Sequence, residues 1–199
     1  MSYFVKKSIM NIAIFASGNG SNAENIYHYF KKNNLPVTIA LIVTNNANAY
    51  VIERAKKINV PVEIFSKKDF YEHPEKIIAQ LKKYGIEYIV LAGFLLKIHP
   101  EIIRAYPNKI INIHPALLPK FGGKGMYGDN VHKAVIEAGE TESGITIHYV
   151  NEEYDKGEII AQYKTTVNEL DTADTLAEKI HNLEYEFFPE TLQKVFFNE

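Results

Sequence analysis

The feature that most limits the fold of this sequence is a regular alternation of apolar runs and amphipathic segments before residue 115. Five β-branched apolar runs, typical of buried strands, are separated by segments whose apolar residues recur at helical spacing. Parallel strands require such crossover connections, so the pattern predicts an α/β fold: a mostly parallel, twisted sheet with helices on both faces. The predicted strands lie at residues 9–16, 37–44, 61–65, 88–92 and from 110 onward; the predicted helices lie at about 21–32, 49–58, 77–84 and 100–105.

The pattern changes after Pro119. Four glycines within residues 122–128 predict a flexible connection, followed by a helix at about 130–138. Two further strands, at residues 145–150 and 159–166, are joined through a tight turn and predict a hairpin added to the sheet. The remainder, from about residue 172 to 197, is predicted to be helical. No linker or repeat interrupts the chain, so we expect one domain over residues 1–199, with residues 1–8 as a disordered lead-in.

Composition narrows the class of protein. Lys and Arg total 22 against 24 acidic residues, a formal charge of −2, which gives no reason to expect a nucleic-acid or membrane partner. Because the chain has no cysteine, disulfides, thiolate metal sites and cysteine nucleophiles are all excluded. No apolar run approaches the length of a membrane span. A cytoplasmic protein is expected.

The fifth apolar run carries two polar residues of chemical interest. Asn112 and His114 are one residue apart, so on a strand they share a face at its carboxyl end. Open parallel sheets bind ligands just beyond those strand ends. Asn can donate a hydrogen bond to a developing oxyanion, and His can also carry a proton. The alternative is a strand end whose polar groups only satisfy hydrogen bonds of the fold.

A glycine-rich loop follows the first strand. Residues 18–23 match the pattern G-x-G-x-x-A, and Ser21 with Glu24 forms a capping-box pattern that predicts a helix start there. Backbone N–H groups at such a start suit an anion, above all a phosphate. The second strand ends in Asn45 and Asn46 rather than in a carboxylate, so a single phosphate is favoured over a dinucleotide. A turn that needs glycine only for its geometry remains the alternative.

Two further residues gain meaning only in combination. Asp155 lies at a tight turn, where Asp is common for structural reasons, and His148 lies in an alternating strand. Together with His114 they could hold iron as two imidazoles and a carboxylate, but their spacing does not require it, so no metal is predicted. Residues 122–125 fail the spacing of a nucleotide-phosphate loop, and a plain connection or a lid is expected there.

Taken together, these stretches resemble the folate-dependent formyltransferases, and within them the phosphoribosylglycinamide branch of purine synthesis. The motif Asn-x-His-Pro, followed by Leu-Leu-Pro and later by Asp, is specific to the formyltransferases in general. The loop Ser-Gly-Asn-Gly-Ser-Asn points to the phosphoribosylglycinamide branch. The resemblance extends from Met10 to about Pro189, over residues 17–22, 91–94, 112–115, 117–119, 144–148 and 155–157.

The resemblance implies a Rossmann-like formyltransferase fold, a cis peptide bond before Pro119, and a role for individual residues. Asn112, His114 and Asp155 match the catalytic trio, with His148 as a candidate supporting residue. The remaining matches concern ligands: Gly20, Ser21, Asn22 and Glu184 for the phosphoribosylglycinamide substrate, and Lys67, Leu95, Leu96, Lys97, Ile98 and Asn112 for the folate. Two positions depart from the family, since Lys67 stands where an arginine is usual and Leu96 where a basic residue is common.

The expected reaction transfers the formyl group of 10-formyltetrahydrofolate, the co-substrate, to the amine of phosphoribosylglycinamide. Its products are N-formylglycinamide ribonucleotide and tetrahydrofolate. Only small-molecule substrates are expected as partners, and the chain is expected to be a monomer or a homodimer. The alternatives are a formyltetrahydrofolate hydrolase, another folate-dependent formyltransferase or, less favoured, a dinucleotide-binding module.

Overall fold

The computed structural model describes residues 9–198, so the predicted lead-in at residues 1–8 lies outside the described residues. The strands are β1 (Met10–Phe15), β2 (Val37–Thr44), β3 (Val62–Ile64), β4 (Tyr88–Leu91), β5 (Ile110–His114), β6 (Glu142–Tyr149) and β7 (Ile159–Thr166). The helices are α1 (Ser21–Lys32), α2 (Val51–Lys57), α3 (Lys67–Glu72), α4 (Pro74–Lys83), α5 (Pro100–Ala105), α6 (Asp129–Glu137) and α7 (Ala173–Phe197). All seven strands form one sheet in the order β3-β2-β1-β4-β5-β6-β7.

The first five strands are parallel, as the alternating sequence pattern predicts. The buried part of strand β1, residues 12–15, shows why its sequence there is entirely apolar. Ile12 and Ile14 point into the core that α1, α2, α6 and α7 cover, whereas Ala13 and Phe15 point into the core under α3, α4 and α5. A strand buried on both faces has no position for a polar side chain, so the Rossmann-like arrangement with helices on both faces is confirmed.

The predicted hairpin is also confirmed. Strand β6 pairs antiparallel with both β5 and β7, so the parallel sheet is extended by two antiparallel strands at one edge. This pairing places His148 opposite Asn112 and Thr146 opposite His114. The two chemically interesting strands therefore lie side by side.

The predicted capping box at Ser21 is wrong. Gly20, in the left-handed region at φ 74°, occupies the cap position of α1, and no side chain caps that helix start. Glu24 pairs with Arg54 of α2 instead of reaching back to the cap. Capping boxes are present where the sequence analysis did not place them, at Ser66 before α3 and at Thr172 before α7.

The loop after β5 contains the expected cis peptide bond between Leu118 and Pro119. Thr146 holds this loop against β6. Its hydroxyl donates to the Ala116 carbonyl at 2.6 Å and accepts from the Leu118 N–H at 3.0 Å. Within residues 9–198, no helix combines the length and the apolar character needed to cross a membrane.

Candidate active site

A cavity of about 720 Å³ opens where β1, β4 and β5 end. Every residue that the sequence analysis assigned to a site lines it: Gly20, Ser21, Asn22, Lys67, Leu95, Leu96, Lys97, Ile98, Asn112, His114, His148, Asp155 and Glu184. Sequence reasoning missed several other lining residues, among them Tyr71, Lys124, His132, Tyr154 and His181. The loop of residues 122–128 also contributes to the lining, so it is more than a plain connection.

The ends of three strands are tied together on one side of this cavity. Ser17, directly after β1, donates through Oγ to the Asn45 side chain beyond β2 at 2.6 Å. The same oxygen accepts from the Leu95 N–H beyond β4 at 2.9 Å. The loops that follow these strands are therefore fixed relative to one another.

His114 is oriented by a main-chain contact. Its Nε2 lies 2.8 Å from the Phe121 carbonyl oxygen, which can only accept, so Nε2 carries a hydrogen and donates it. Its Nδ1 lies 3.8 Å from Asp155 Oδ2, which is too long for a direct hydrogen bond but allows charge attraction. The ring is 3% exposed. Because Nε2 is bonded to the Phe121 carbonyl oxygen, Nδ1 is the nitrogen that can take part in the reaction.

Asp155 is held by its own loop and by the glycine-rich loop. Its Oδ2 accepts from the Gly123 N–H at 2.8 Å, a contact that spans 32 residues of sequence. The turn that carries Asp155 passes close to β6. A Cβ at Gly157 would lie only 1.6 Å from the Tyr149 carbonyl oxygen. Glycine at 157 is therefore required for Asp155 to reach the site.

His148 supports Asn112 across the β5–β6 pairing. Its Nδ1 faces the Tyr149 carbonyl oxygen at 2.8 Å and so carries the hydrogen. Burial lowers the pKa of His148 despite the nearby Asp155 carboxylate, so the ring is neutral and Nε2 is an acceptor. Asn112 Nδ2 donates to that nitrogen at 3.1 Å, which fixes the amide and leaves its second hydrogen free for a ligand.

The loop before α1 is packed closely against α2. Gly20 adopts φ 74°, and a Cβ there would lie 2.4 Å from Cγ2 of Val51, so only glycine fits. Arg54 holds the loop from outside by donating from Nε and Nη2 to the carbonyl and side-chain oxygens of Asn19 at 3.0 and 2.8 Å. No side chain caps the backbone N–H groups at the start of α1, and Gly20, Ser21 and Asn22 line the cavity there.

Two polar residues of α7 complete that end of the cavity. Glu184, 7% exposed, accepts through Oε2 from Asn22 Nδ2 at 2.9 Å and lies 3.0 Å from His181 Nδ1. The hydrogen bond between Glu184 and His181 raises the pKa of His181, although burial of the ring acts in the opposite direction. Nearby His132 is 4% exposed, and burial lowers its pKa. The spacing of His181 three residues before Glu184 was the sequence signal that could have identified His181.

The opposite end of the cavity is more open and less polar. Leu95 is 48% exposed, and Tyr71 and Tyr154 are 41% and 38% exposed. Each tyrosine ring lies near an ammonium group: Lys67 Nζ is 6.0 Å from the Tyr71 ring centre, and Lys97 Nζ is 5.4 Å from that of Tyr154. Aliphatic and aromatic surface flanked by two cations suits a flat ligand with an anionic tail.

Within the part of the chain that the structure describes, no group of three or more His, Asp or Glu side chains is arranged to hold a metal ion. The sequence suggested His114, His148 and Asp155 as a conceivable metal site. In the structure, each of the two imidazole rings instead faces one oxygen of the Asp155 carboxylate. Asp155 Oδ1 lies 3.7 Å from His148 Nε2, and Oδ2 lies 3.8 Å from His114 Nδ1.

The fold and the cavity define an α/β protein with an amide, an imidazole and a carboxylate at the carboxyl end of a parallel sheet. Residues 10–192 match the family model described as formyl transferase. The chain belongs to this formyl transferase family.

The relatives include named enzymes. The chain is 40% identical to phosphoribosylglycinamide formyltransferase of Bacillus subtilis (strain 168), over 92% of this chain and 93% of that protein. It is 41% identical to the chloroplastic phosphoribosylglycinamide formyltransferase of Arabidopsis thaliana, over 91% of this chain but only 63% of that protein's length. The crystal structure of phosphoribosylglycinamide formyltransferase from Bacillus halodurans superposes with a TM-score of 0.84 at 39% identity, covering 93% of this chain and 94% of that one.

Proposed function

We propose that this chain transfers the formyl group of 10-formyltetrahydrofolate to the amine of phosphoribosylglycinamide, giving N-formylglycinamide ribonucleotide and tetrahydrofolate in purine synthesis. The observation that carries the proposal is the convergence of Asn112, His114 and Asp155 in one cavity, with an uncapped helix start on one side and an apolar, cation-flanked mouth on the other. The named relatives support the same reaction.

In the proposed mechanism, the glycinamide amine attacks the formyl carbon. A C–N bond forms, and negative charge develops on the formyl oxygen as the carbon becomes tetrahedral. The free amide hydrogen of Asn112 and a proton on His114 Nδ1 would stabilise that charge. Support comes from their orientation, because His148 fixes the Asn112 amide and the Phe121 carbonyl fixes the His114 ring.

The attacking amine must lose a proton, and N10 of the folate must gain one as the C–N bond to the formyl carbon breaks. We assign Asp155 to this transfer. The 3.8 Å gap between Asp155 Oδ2 and His114 Nδ1 suits a bridging water, through which the proton could move.

The ligands are proposed to occupy opposite ends of the cavity. The substrate phosphate would bind the backbone N–H groups of residues 20–22, while Glu184 would accept from the ribose hydroxyls. The folate would lie along residues 95–98, with Lys67 near its anionic tail. Much of the rate would come from holding both substrates against the trio between these ends.

One assay tests the proposal. Purified protein is mixed with 10-formyltetrahydrofolate, with and without phosphoribosylglycinamide, and tetrahydrofolate release is followed together with formation of the formylated product. We expect release only when the amine is present, at a rate equal to product formation. Release without the amine would instead establish a hydrolase, and no release in either mixture would refute both functions.

Two expectations from the sequence stay predictions. These are the cytoplasmic location and the monomeric or homodimeric state. Size-exclusion chromatography with light scattering would decide the second.

A further inference from the structure

The loop before α1 is hydrogen-bonded to α2 along one side. The Val51 N–H donates to the Gly18 carbonyl oxygen at 3.1 Å, and Arg54 Nε donates to the Asn19 carbonyl oxygen at 3.0 Å. The C=O and the N–H of a trans peptide point in opposite directions, so the N–H groups of Asn19 and Gly20 point away from α2. Neither N–H makes a hydrogen bond within the described part of the chain, and both residues line the cavity. The bonds to α2 therefore leave two donors free on the other side of the loop.

Arg54 fixes more than one atom of this loop. Its Nη2 donates to Asn19 Oδ1 at 2.8 Å, so two nitrogens of the guanidinium hold the main chain and the side chain of the same residue. A planar fork of donors sets the direction of both acceptors, which a single ammonium group does not. Because Oδ1 is turned toward Arg54, Nδ2 of the Asn19 amide has no partner within residues 9–198 and is left to donate to a ligand.

Arg54 is itself held in place, and its charge is offset. Its third nitrogen, Nη1, pairs with Glu24 of α1, and the Tyr50 ring centre lies 5.1 Å from its guanidinium carbon. The two paired side chains are only 21% and 25% exposed. Arg54 does not line the cavity, and the Glu24 carboxylate cancels most of its field at a distance. Arg54 is therefore placed to shape the loop rather than to attract an anion by charge.

We propose that Arg54 is a positioning residue for the substrate phosphate, which it does not touch. It holds the peptide between Asn19 and Gly20 and the Asn19 amide so that their N–H groups, and not their oxygens, are directed at the phosphate. This proposal rests on the proposed function, in which the phosphate binds at this loop. A peptide that turned over would present a carbonyl oxygen, whose partial negative charge repels a phosphate. N–H groups that are already oriented bind the anion without the entropy cost of ordering them.

Two substitutions separate positioning from charge. Arg54→Met keeps an unbranched side chain beside Tyr50 but removes every donor, whereas Arg54→Lys keeps the positive charge but not the fork. The matched control is Lys57→Met, which removes a cation of the same helix whose Nζ lies 5.8 Å from the same Tyr50 ring centre. KM and kcat are measured for phosphoribosylglycinamide and for 10-formyltetrahydrofolate, and thermal unfolding checks that each variant is folded.

We expect Arg54→Met to raise KM for phosphoribosylglycinamide about tenfold, with kcat and KM for the folate changed less than about twofold. Arg54→Lys should raise the same KM at least about fivefold, because one ammonium group cannot hold both oxygens of Asn19. Lys57→Met should match the unchanged protein. A partly unfolded sample would lose kcat without changing KM, so a rise in one KM alone is not explained by lost stability.

A double substitution tests whether Arg54 acts through Asn19. Asn19→Ala removes the Oδ1 acceptor and the free Nδ2 group, and we expect it to raise KM for phosphoribosylglycinamide about fivefold. If the two residues act as one unit, Arg54→Met combined with Asn19→Ala should have a KM within about twofold of Arg54→Met alone. Single effects that multiply in the double variant would show that Arg54 acts independently of Asn19, which contradicts the proposal.

Failure of this proposal and failure of the proposed function give different results. If the unchanged protein transfers the formyl group but Arg54→Met leaves KM for phosphoribosylglycinamide unchanged, Arg54 is not a positioning residue and the proposed function stands. The same conclusion follows if Arg54→Lys has the KM of the unchanged protein, because charge alone would then be sufficient. If the unchanged protein forms no formylated product, the proposed function fails, and the role of Arg54 fails with it.

Discussion

The two ends of the cavity differ in how far their side chains are buried and hydrogen-bonded to one another. At the end proposed for the phosphate, buried polar side chains hold one another: Asn22 and Glu184 are 9% and 7% exposed and are hydrogen-bonded together. At the end proposed for the folate, Leu95 is 48% exposed and Tyr154 is 38% exposed. The first end has one fixed arrangement, and the second offers apolar surface with cations at its rim.

This difference follows from what each end would have to recognise. A small, doubly charged phosphate is bound well only by donors that are already in place, because ordering loose groups costs entropy. A flat ring system gains most of its affinity from apolar contact, which depends less on the angle of each side chain. Asp155 lies between the two ends, bound to the glycine-rich loop through the Gly123 N–H. Substitutions should therefore have their largest effects at the centre and their smallest at the folate end.

The largest expected effect belongs to Asp155→Asn. We expect kcat to fall by about 10²–10⁴, since a proton-transfer group is removed while the side-chain shape is kept. KM for both substrates should change little, because neither end of the cavity depends on this carboxylate. Steady-state kinetics measure this, and thermal unfolding checks that the fold persists.

The control for that variant is Glu152→Gln, three residues away in the same loop, where Glu152 pairs with Arg104 at the surface. Its kcat should match the unchanged protein. A kcat of Asp155→Asn within about threefold of the control would remove Asp155 from the chemistry.

His148 should give the next largest effect. Its neutral Nε2 accepts from Asn112, so His148→Leu would leave that amide unoriented, and we expect kcat to fall about 100-fold with little change in either KM. His148→Gln keeps an acceptor and should lose only about tenfold. Equal losses in the two variants would show that packing, rather than orientation of Asn112, explains the role of His148.

The sequence predicted the sheet well because strands buried on both faces must be apolar throughout. Strands β1 and β5 were therefore recognisable, and so was the pair of polar residues that interrupts β5. Helix α3 was not recognised, because it is six residues long and buries only Phe70. The signal for it in the sequence is the capping-box spacing of Ser66 and Asp69.

The site was predictable where a local motif marks it and unpredictable where contacts are long-range. Asn112 and His114 share a strand face, and their placement in one cavity follows from spacing alone. The bond between Gly123 and Asp155 joins residues 32 positions apart, and no local pattern indicates it. The start of α1 at Ser21 was predicted correctly but from the wrong signal, because Ser21 and Glu24 have capping-box spacing whereas the left-handed Gly20 occupies the cap.

The rigidity of the phosphate end can be tested with two glycines of the same loop. In Gly20→Ala the new Cβ would meet Val51 at 2.4 Å in a left-handed backbone, so we expect a loss of about 1–3 kcal/mol in the free energy of unfolding. In Gly18→Ala the Cβ would have no atom within 4 Å, so stability should be nearly unchanged. Denaturant titration measures both. Similar losses in the two variants would mean that the loop is not held through Val51.

The smallest effects are expected at the folate end. Lys67→Ala and Lys97→Ala should each raise KM for 10-formyltetrahydrofolate only about two- to fivefold, because exposed charges are screened by water and by salt. KM for phosphoribosylglycinamide should not change. The matched control is Lys68→Ala, an exposed neighbour that pairs with Glu72 and does not line the cavity. Raising the salt concentration should reduce the difference in this KM between the two variants and the control. A large increase in KM that does not depend on salt, in either variant, would show that the side chains at the folate end are held as firmly as those at the phosphate end. The contrast between the two ends would then disappear.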